Sequence, residues 1–301
     1  MILDDFELLR KARKCFEMTS RGHIVHCYIL LGDPNWLRES LSSYYDLVDK
    51  IVAVYDAGGL SWSGVDISSR ILECKSVIND LDVDRKVEFL GGSFQATSGQ
   101  LMSAETCMRN AGIELARQGA SIVLQLDTDE IIPDLLYFNQ CLDNWYGTGV
   151  PALEYAFRWL YVHIWGSWYL EMCSRKLQYW DAIPGPVAIR SNMAVRHARQ
   201  VDGECIRYSP LSTDHNIPLS KAIIHPSMVQ SVTDVEFKCL HLSGHSLDID
   251  MKRRVIEWRI ARVVPLFFSI WSALLPTFGT YRVVNLHYCS ALVKNTRKYF
   301  H

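Results

Sequence analysis

The 301-residue chain is 49% hydrophobic and 21% charged, which excludes an intrinsically disordered protein. Its formal net charge of -2 leaves no excess of basic side chains for a phosphate backbone, so we expect no nucleic-acid partner. Nine cysteines, none paired at CxxC spacing, argue against a disulfide framework and a structural zinc site. Because no secretory signal pattern opens the sequence, we expect a cytoplasmic protein, peripheral to the inner face of the membrane if its tail binds lipid.

The first half of the chain alternates apolar strand patterns with helical ones, after an amphipathic opening helix. Strands are predicted at 23–31, 50–55, 86–90 and 121–126, and helices at 36–45, 68–81 and 104–117. This alternation is typical of a parallel sheet covered by helices on both faces. Beyond Pro133 we expect one helix to about Trp145, an aromatic-rich stretch, and short strands at 187–190 and 236–241.

The pattern Asp-x-Asp is a candidate ligand-binding motif because ligands of such sheets bind beyond the carboxyl ends of the strands. It occurs at 82–84, 127–129 and 248–250. Only the second copy directly follows an apolar strand. Residues i and i+2 of an extended segment point the same way, so Asp127 and Asp129 are predicted to converge on one hard cation. The other two copies are predicted to be structural, in a turn and at a helix N-terminus.

The run MRNAGIELARQGASIVLQLDTDE, residues 108–130, resembles the core of glycosyltransferase family 2 and its GT-A-fold relatives. ILLGDPNWLRESL is similar to the first strand and helix of that family, and DKIVAVYDAGG to its second strand. The resemblance spans about 24–133. It implies an α/β, GT-A-like (Rossmann-like) fold, with a mostly parallel sheet flanked by helices and a C-terminal helical tail.

The resemblance also implies how the chain is divided. We expect a catalytic domain over 1–250, with a nucleotide-sugar half at about 22–133 and an acceptor half at about 134–250. The tail, 251–301, has nine Lys or Arg residues and one Glu. Its apolar run is too short between prolines to span a bilayer. An interfacial helix pair on an anionic membrane and a buried helical lid are both compatible with this pattern.

By the same resemblance, the chain transfers a sugar from a nucleotide-diphosphate sugar, expected to be a UDP-sugar, to a glycan or lipid-linked acceptor in surface polysaccharide synthesis. The expected cofactor is Mn or Mg, held by Asp127 and Asp129 with His241 as a further ligand. The residues expected to bind the donor are Asp33, Asp56, Arg109, Asp127 and Asp129. Each alone is an ordinary charge at a loop or helix start, but their common order favours a site.

An inverting transfer needs a carboxylate that takes the proton of the acceptor hydroxyl. The candidates are Glu204, preferred, then Asp202 and Asp181; a retaining transfer needs no such base. Aromatic faces stack on sugars, so Trp165, Trp168 and Trp180 are expected acceptor contacts. The alternating aromatic residues at 155–161 are expected to be core.

Two other functions stay open at this point. A sugar-phosphate nucleotidyltransferase would normally show a Gly-rich, Arg-containing loop after the first strand, and LLGDPNW lacks one. A non-catalytic, membrane-associated binding module is the other alternative. A zinc hydrolase is disfavoured because the pair His241 and His245 lacks the Glu of the HExxH signature.

Overall fold

The computed structural model describes residues 22–96, 100–174, 179, 184–243, 249–274, 280–289 and 292, with backbone alone at 249–250. The opening helix, Asp181 and Trp180 lie outside the described residues. The strands are β1 (Val25–Leu30), β2 (Lys50–Asp56), β3 (Val87–Gly92), β4 (Ile122–Gln125), β5 (Ala152–Tyr155), β6 (Phe157–Trp165), β7 (Trp168–Cys173), β8 (Ala188–Arg190), β9 (Val195–His197), β10 (Gln200–Val201), β11 (Cys205–Tyr208), β12 (Ile223–His225) and β13 (Thr280–Asn285). The α-helices are α1 (Leu37–Tyr44), α2 (Ser68–Leu81), α3 (Leu101–Ala116), α4 (Leu135–Thr148), α5 (Val232–His241), α6 (Ile249–Val263) and α7 (Pro265–Leu274).

The main sheet has seven strands in the order β11-β5-β8-β4-β1-β2-β3. Neighbouring strands are parallel except at β8, which is antiparallel to both β4 and β5. The expected fold class, a mostly parallel sheet flanked by helices, is therefore confirmed. The carboxyl ends of β1, β2 and β4 meet at one edge, because these strands run in the same direction.

Alternating side chains of β1 pack into two different cores. Val25, Cys27 and Ile29 join the core under α1, α2 and α4, whereas Tyr28 joins the core under α3. Helix α3 packs closely on the sheet at Gly112, where a Cβ atom would lie 2.9 Å from Val54 Cγ2 and 3.1 Å from Tyr28 Cβ. Because Gly112 has no side chain, α3 and the residues that it carries can lie close to the sheet.

The strand predicted at 236–241 is wrong, because this segment is the C-terminal half of helix α5. The side chain of Ser231 caps the helix by accepting a hydrogen bond from the Asp234 N–H at 3.1 Å. Val235 and Cys239, four residues apart, are the buried residues of the helix, which is helical and not strand spacing. The N-cap signal of Ser231 thus predicts this helix better than the short apolar run predicts a strand.

A second sheet has the order β12-β6-β7-β13. Helices α6 and α7 pack beside it around Tyr161, Trp258, Phe268 and Tyr281. The sequence predicts helices beyond residue 251, and α6 and α7 agree, but it does not anticipate β13, which pairs antiparallel with β7. Within the described part of the chain, no helix combines the length and apolarity needed to cross a bilayer.

Candidate functional site

A cleft of about 430 Å³ lies at the carboxyl edge of the main sheet. The segments after β1, β2 and β4 supply one wall, and the second half of the chain supplies the other. Charged side chains on its lining include Asp33, Asp56, Glu105, Arg109, Asp127, Asp129, Glu130, Arg199, Lys238 and Arg254, beside His225. Sequence reasoning predicts five of these residues for the donor site, and the structure brings all five to this cleft.

Asp127, two residues beyond β4, lies between two buried arginines. Arg109 of α3 donates to Oδ1 at 3.1 Å and to Oδ2 at 3.3 Å, and Arg199 Nη2 lies 2.7 Å from Oδ2. Glu105, one helical turn before Arg109, accepts from its Nε and Nη2. Burial acts to raise the pKa of Asp127, but the two guanidinium groups outweigh it and hold the pKa well below its usual range.

Asp129 and Asp33 share one ammonium group. Lys238 Nζ donates to Asp129 Oδ2 at 2.6 Å and to Asp33 Oδ2 at 2.9 Å. Gln230 Nε2 also donates to Asp33 Oδ2, at 2.9 Å. Burial opposes ionisation of Asp33, yet Lys238 and Gln230 prevail and lower its pKa to about 2. Burial would likewise lower the pKa of Lys238, but Asp129 and Asp33 raise it, so this lysine is a permanent cation.

Glu130 is the cleft carboxyl with the opposite pKa shift. It is only 1% exposed, and Oε1 accepts from Arg199 Nη2 at 2.6 Å while Oε2 accepts from the Asp127 N–H at 3.1 Å. Burial, with the nearby charges of Asp127 and Asp129, raises its pKa to about 7 despite Arg199. Burial therefore favours the protonated form of Glu130 far more than that of Asp127 or Asp33.

His225, the last residue of β12, lies against the same carboxylates. Its Nε2 lies 3.6 Å from Asp129 Oδ1, and its ring packs on Trp159 at 4.4 Å between centroids. Burial first, then the charges of Lys238 and Arg199, lowers its pKa to about 4 despite Asp129. The imidazole is consequently neutral at physiological pH.

Two nitrogen atoms of this cluster have no hydrogen-bond partner among the described residues: Arg199 Nη1 and His225 Nδ1. Arg199 is 2% exposed and His225 9%, and both line the cleft. A buried polar group without a partner costs free energy unless a ligand or water satisfies it. Arg199 Nη1 is thus a donor available to an anion in the cleft.

Asp56, the last residue of β2, organises the loop beside the cleft. Its Oδ1 accepts from the N–H groups of Gly58 and Leu60 at 2.9 and 3.2 Å, and its Oδ2 from that of Phe94 at 2.9 Å. The loop places Leu60, Ser61 and Trp62 on the cleft lining. Asp56 therefore holds this loop at the cleft, with backbone donors on both of its oxygens.

Asp127 and Asp129 contact different basic side chains, whereas the extended segment predicts that they face one shared cation. Residues 127–130 form a turn, with the Glu130 N–H donating to the Asp127 carbonyl oxygen at 3.3 Å. The turn directs Asp127 toward the arginines and Asp129 toward Lys238. The described part of the chain holds no cluster of three or more His, Cys, Asp or Glu side chains that could hold a metal by themselves. The expected Mn or Mg stays a prediction.

His241 does not join the two aspartates, contrary to the predicted ligand set. It ends α5 with its ring on Phe237, 5.0 Å between centroids, and it is not part of the cleft lining. The prediction took its segment for a strand ending at the cleft. As a helix, the same segment presents Lys238, and the histidine beside Asp129 is His225.

Glu204 and Asp202 lie at the opposite edge of the sheet, so their expected place at an acceptor cleft is wrong. Both directly precede β11, which is parallel to β5 and hence to β4. They lie at the amino end of the strands, whereas Asp127 follows a carboxyl end. Both are exposed, and Asp202 pairs with Arg196 at 3.2 Å. Asp181, the third candidate, is outside the described residues.

The aromatic stretch divides differently from its prediction. Tyr155, Phe157 and Tyr161 are buried core as expected, but Trp159 lines the cleft. Trp165 and Trp168 flank the β6–β7 turn, 63% and 40% exposed, and neither lines the cleft.

Sequence reasoning missed Arg199, His225 and Lys238 as functional residues. The apolar run ending at His225 is a detectable strand signal, since the histidine closes a buried three-residue strand. Recognition of the capped helix after Ser231 would have turned attention to Lys238. Arg199 has no local signal: it follows Ala198, which has a left-handed φ of 49°, in the short β9–β10 hairpin.

No protein-family model matches the chain, and no curated protein sequence matches it. Among solved structures, it is similar to 4-diphosphocytidyl-2C-methyl-D-erythritol synthase from Anaerococcus prevotii, with 12% identity and a TM-score of 0.32 over 56% of this chain and 71% of that one. It is also similar to mannose-1-phosphate geranyltransferase from Thermus thermophilus, with 8% identity and a TM-score of 0.26 over 86% and 75% of the two chains. Both likenesses are too distant to assign an activity.

Proposed function

We propose that the chain is a glycosyltransferase that takes a sugar from a nucleotide-diphosphate donor, with a UDP-sugar as the expected donor. The observation that carries this proposal is the pairing of Asp127 with two buried arginines, Arg109 and Arg199, at the carboxyl edge of a parallel sheet. Of these two, Arg199 keeps an N–H group, at Nη1, without a partner among the described residues. Arginine N–H groups match phosphate oxygens well. Ligands of such sheets bind at this edge.

The nucleoside half of the donor would lie on the β1–β2 side of the cleft. There Asp56 holds the loop that presents Leu60 and Trp62, and a half-buried indole face can stack on a base. The diphosphate would then reach Arg199 and Arg109. The sugar would extend toward His225 and Trp159, on the wall supplied by the second half of the chain.

The leaving diphosphate gains negative charge during transfer, so a site must place positive charge there in advance. We propose that Arg109, Arg199 and Lys238 supply this charge. A divalent cation at Asp129 and Asp33 would have to displace the Lys238 ammonium, which already lies within hydrogen-bond distance of both carboxylates. Because the aspartates are paired, they repel a diphosphate less than free carboxylates would.

Glu130 is our proposed proton acceptor for an inverting transfer. It lines the cleft, its pKa of about 7 suits a base at neutral pH, and the earlier candidates Glu204 and Asp202 lie at the far edge. The acceptor is a glycan or lipid-linked hydroxyl in this proposal.

The test is product analysis across a panel of nucleotide sugars with mixed glycan and lipid acceptors. Release of a nucleoside diphosphate together with a glycosylated or hydrolysed sugar supports the proposal. Release of pyrophosphate from a nucleoside triphosphate and a sugar phosphate would establish the nucleotidyltransferase alternative instead. If the chain binds no nucleotide in calorimetry, both transferase hypotheses are contradicted and the non-catalytic binding module remains.

A further inference from the structure

Helices α6 and α7 expose eight large apolar side chains within residues 256–274. These are Ile256, Ile260, Val263, Val264, Leu266, Phe267, Ile270 and Leu274, between 36% and 79% exposed. Isolated exposed apolar residues are common on soluble proteins, but contiguous ones mark contact surfaces. We call these eight residues the apolar face.

On each of the two helices, the residues of the apolar face recur at helical spacing. On α6, Ile256, Ile260 and Val263 recur every three or four residues, so they share one side of the helix. The other side, with Val255 and Trp258, is buried in the second core. On α7, Leu266, Ile270 and Leu274 are four residues apart, while Phe268 and Ser272 face inward. Each helix therefore presents one apolar side to solvent and buries another.

Basic side chains flank the apolar face. Lys252, Arg253 and Arg259 are exposed on α6, at helical positions on either side of the Ile256 stripe. Arg253 pairs with Glu257 at 2.8 Å, and Arg259 pairs with Glu236 of α5. Across 249–274 the sequence has five basic and two acidic residues, in a chain whose net charge is negative. An apolar stripe with basic flanks is the pattern of a helix that lies in a membrane interface.

We propose that the apolar face docks on an anionic lipid bilayer, with α6 and α7 lying in the plane of the interface. The charge complementarity favours anionic lipid over a second copy of this chain, because two copies would bring their own basic flanks together. The docking is peripheral, since the two helices, 15 and 10 residues long, are too short to span.

Docking also brings the cleft close to the lipid headgroups. Met251 and Arg254, on the inward side of α6, line the cleft, so one helix forms both its wall and the docking surface. This second step rests on the proposed function: for a sugar transferase, it favours a lipid-linked acceptor over a free glycan.

The experiment is co-sedimentation of the full chain with vesicles of phosphatidylcholine, with or without phosphatidylserine. We expect binding that requires phosphatidylserine. The variant Phe267→Ser/Ile270→Ser should lower the partition coefficient more than tenfold, and Lys252→Glu by roughly fivefold or more on anionic vesicles alone. Matched controls are Leu72→Ser on α2, 66% exposed, and Arg196→Glu on β9, both expected to bind like the wild type.

Absence of vesicle binding by the wild type would overturn docking, as would equal losses in the control variants. Concentration-dependent dimers abolished by Phe267→Ser/Ile270→Ser, without vesicle binding, would identify a second copy as the occupant and also overturn it. Nucleotide binding by each variant, measured in solution, reports separately on the cleft, so failure of docking and failure of the proposed transferase are distinguishable.

Discussion

Arg199 uses its two terminal nitrogens differently, and this asymmetry can be tested. Nη2 contacts Asp127 and Glu130, and Nη1 has no partner in the described structure. Arg199→Lys keeps a positive charge but loses the forked geometry, so we expect UDP affinity to fall roughly tenfold or more. Calorimetry measures this, with the exposed Arg196→Lys as control. Unchanged affinity would place the diphosphate elsewhere.

Glu130 should control the pH dependence of transfer. Its pKa is raised to about 7, so a base at this position is protonated at acid pH and becomes active as pH rises through that value. We expect kcat/KM to increase up to about pH 7 and then level off. Glu130→Gln should remove this limb and lower turnover roughly a hundredfold. If kcat/KM of the variant still rises with pH up to about pH 7, the base is another group.

Lys238 should decide whether nucleotide binding needs a metal. For the wild type we expect equal UDP affinity in EDTA and in Mn²⁺, because the ammonium already pairs with both Asp33 and Asp129. Lys238→Ala removes the ammonium that these two buried carboxylates share, so affinity in EDTA should fall and Mn²⁺ should restore part of it. The control Lys221→Ala removes a lysine paired with Asp134 instead. A wild type that binds only with Mn²⁺ would contradict this prediction and support the expected Mn or Mg cofactor.

Among elements, α5 determines whether Lys238 reaches the cleft. Ser231→Ala removes its cap, and we expect the free energy of unfolding to fall by about 1 kcal/mol, measured by urea denaturation. Ser231→Thr keeps a hydroxyl acceptor and should lie close to the wild type. Equal losses in both variants would show that packing of the serine, and not capping, stabilises this helix end.

Elements differ in how far the sequence reveals them. The segments of β1, β2 and β4 are clear apolar strand patterns, so Asp33, Asp56 and Asp127 could be placed at or just beyond strand ends in advance. In contrast, Arg199 and Lys238 reach Asp127 and Asp129 from positions 72 and 109 residues later in the chain. Local pattern contains no information on such pairing, because it depends on how segments distant in the chain pack together. The sequence therefore indicates Asp127 and Asp129, but not the basic residues Arg199 and Lys238 that pair with them.

At the scale of the whole molecule, the paired carboxylates link folding to pH. The pKa of Asp33 is lowered to about 2, below the value of about 3.9 in an unfolded chain. Its contribution of about 2 kcal/mol is therefore present above pH 4 and is lost as pH falls toward 2. We expect Asp33→Asn to be less stable than the wild type at pH 7 and to lose less stability between pH 5 and pH 2. Parallel stability curves for the two proteins would contradict this assignment.

Strand β13, near the end of the described chain, covers the outer edge of β7 in the second sheet. Thr280 pairs with Cys173, so β7 gains its outer neighbour only when residues more than a hundred positions later arrive. Such distant pairing slows folding. Until then, β7 presents an unpaired backbone edge with Leu170 and Met172 beside it, a template for aggregation. Removal of the chain from 252 onward would expose this edge permanently, so point substitutions, and not truncation, are the sound way to probe α6 and α7.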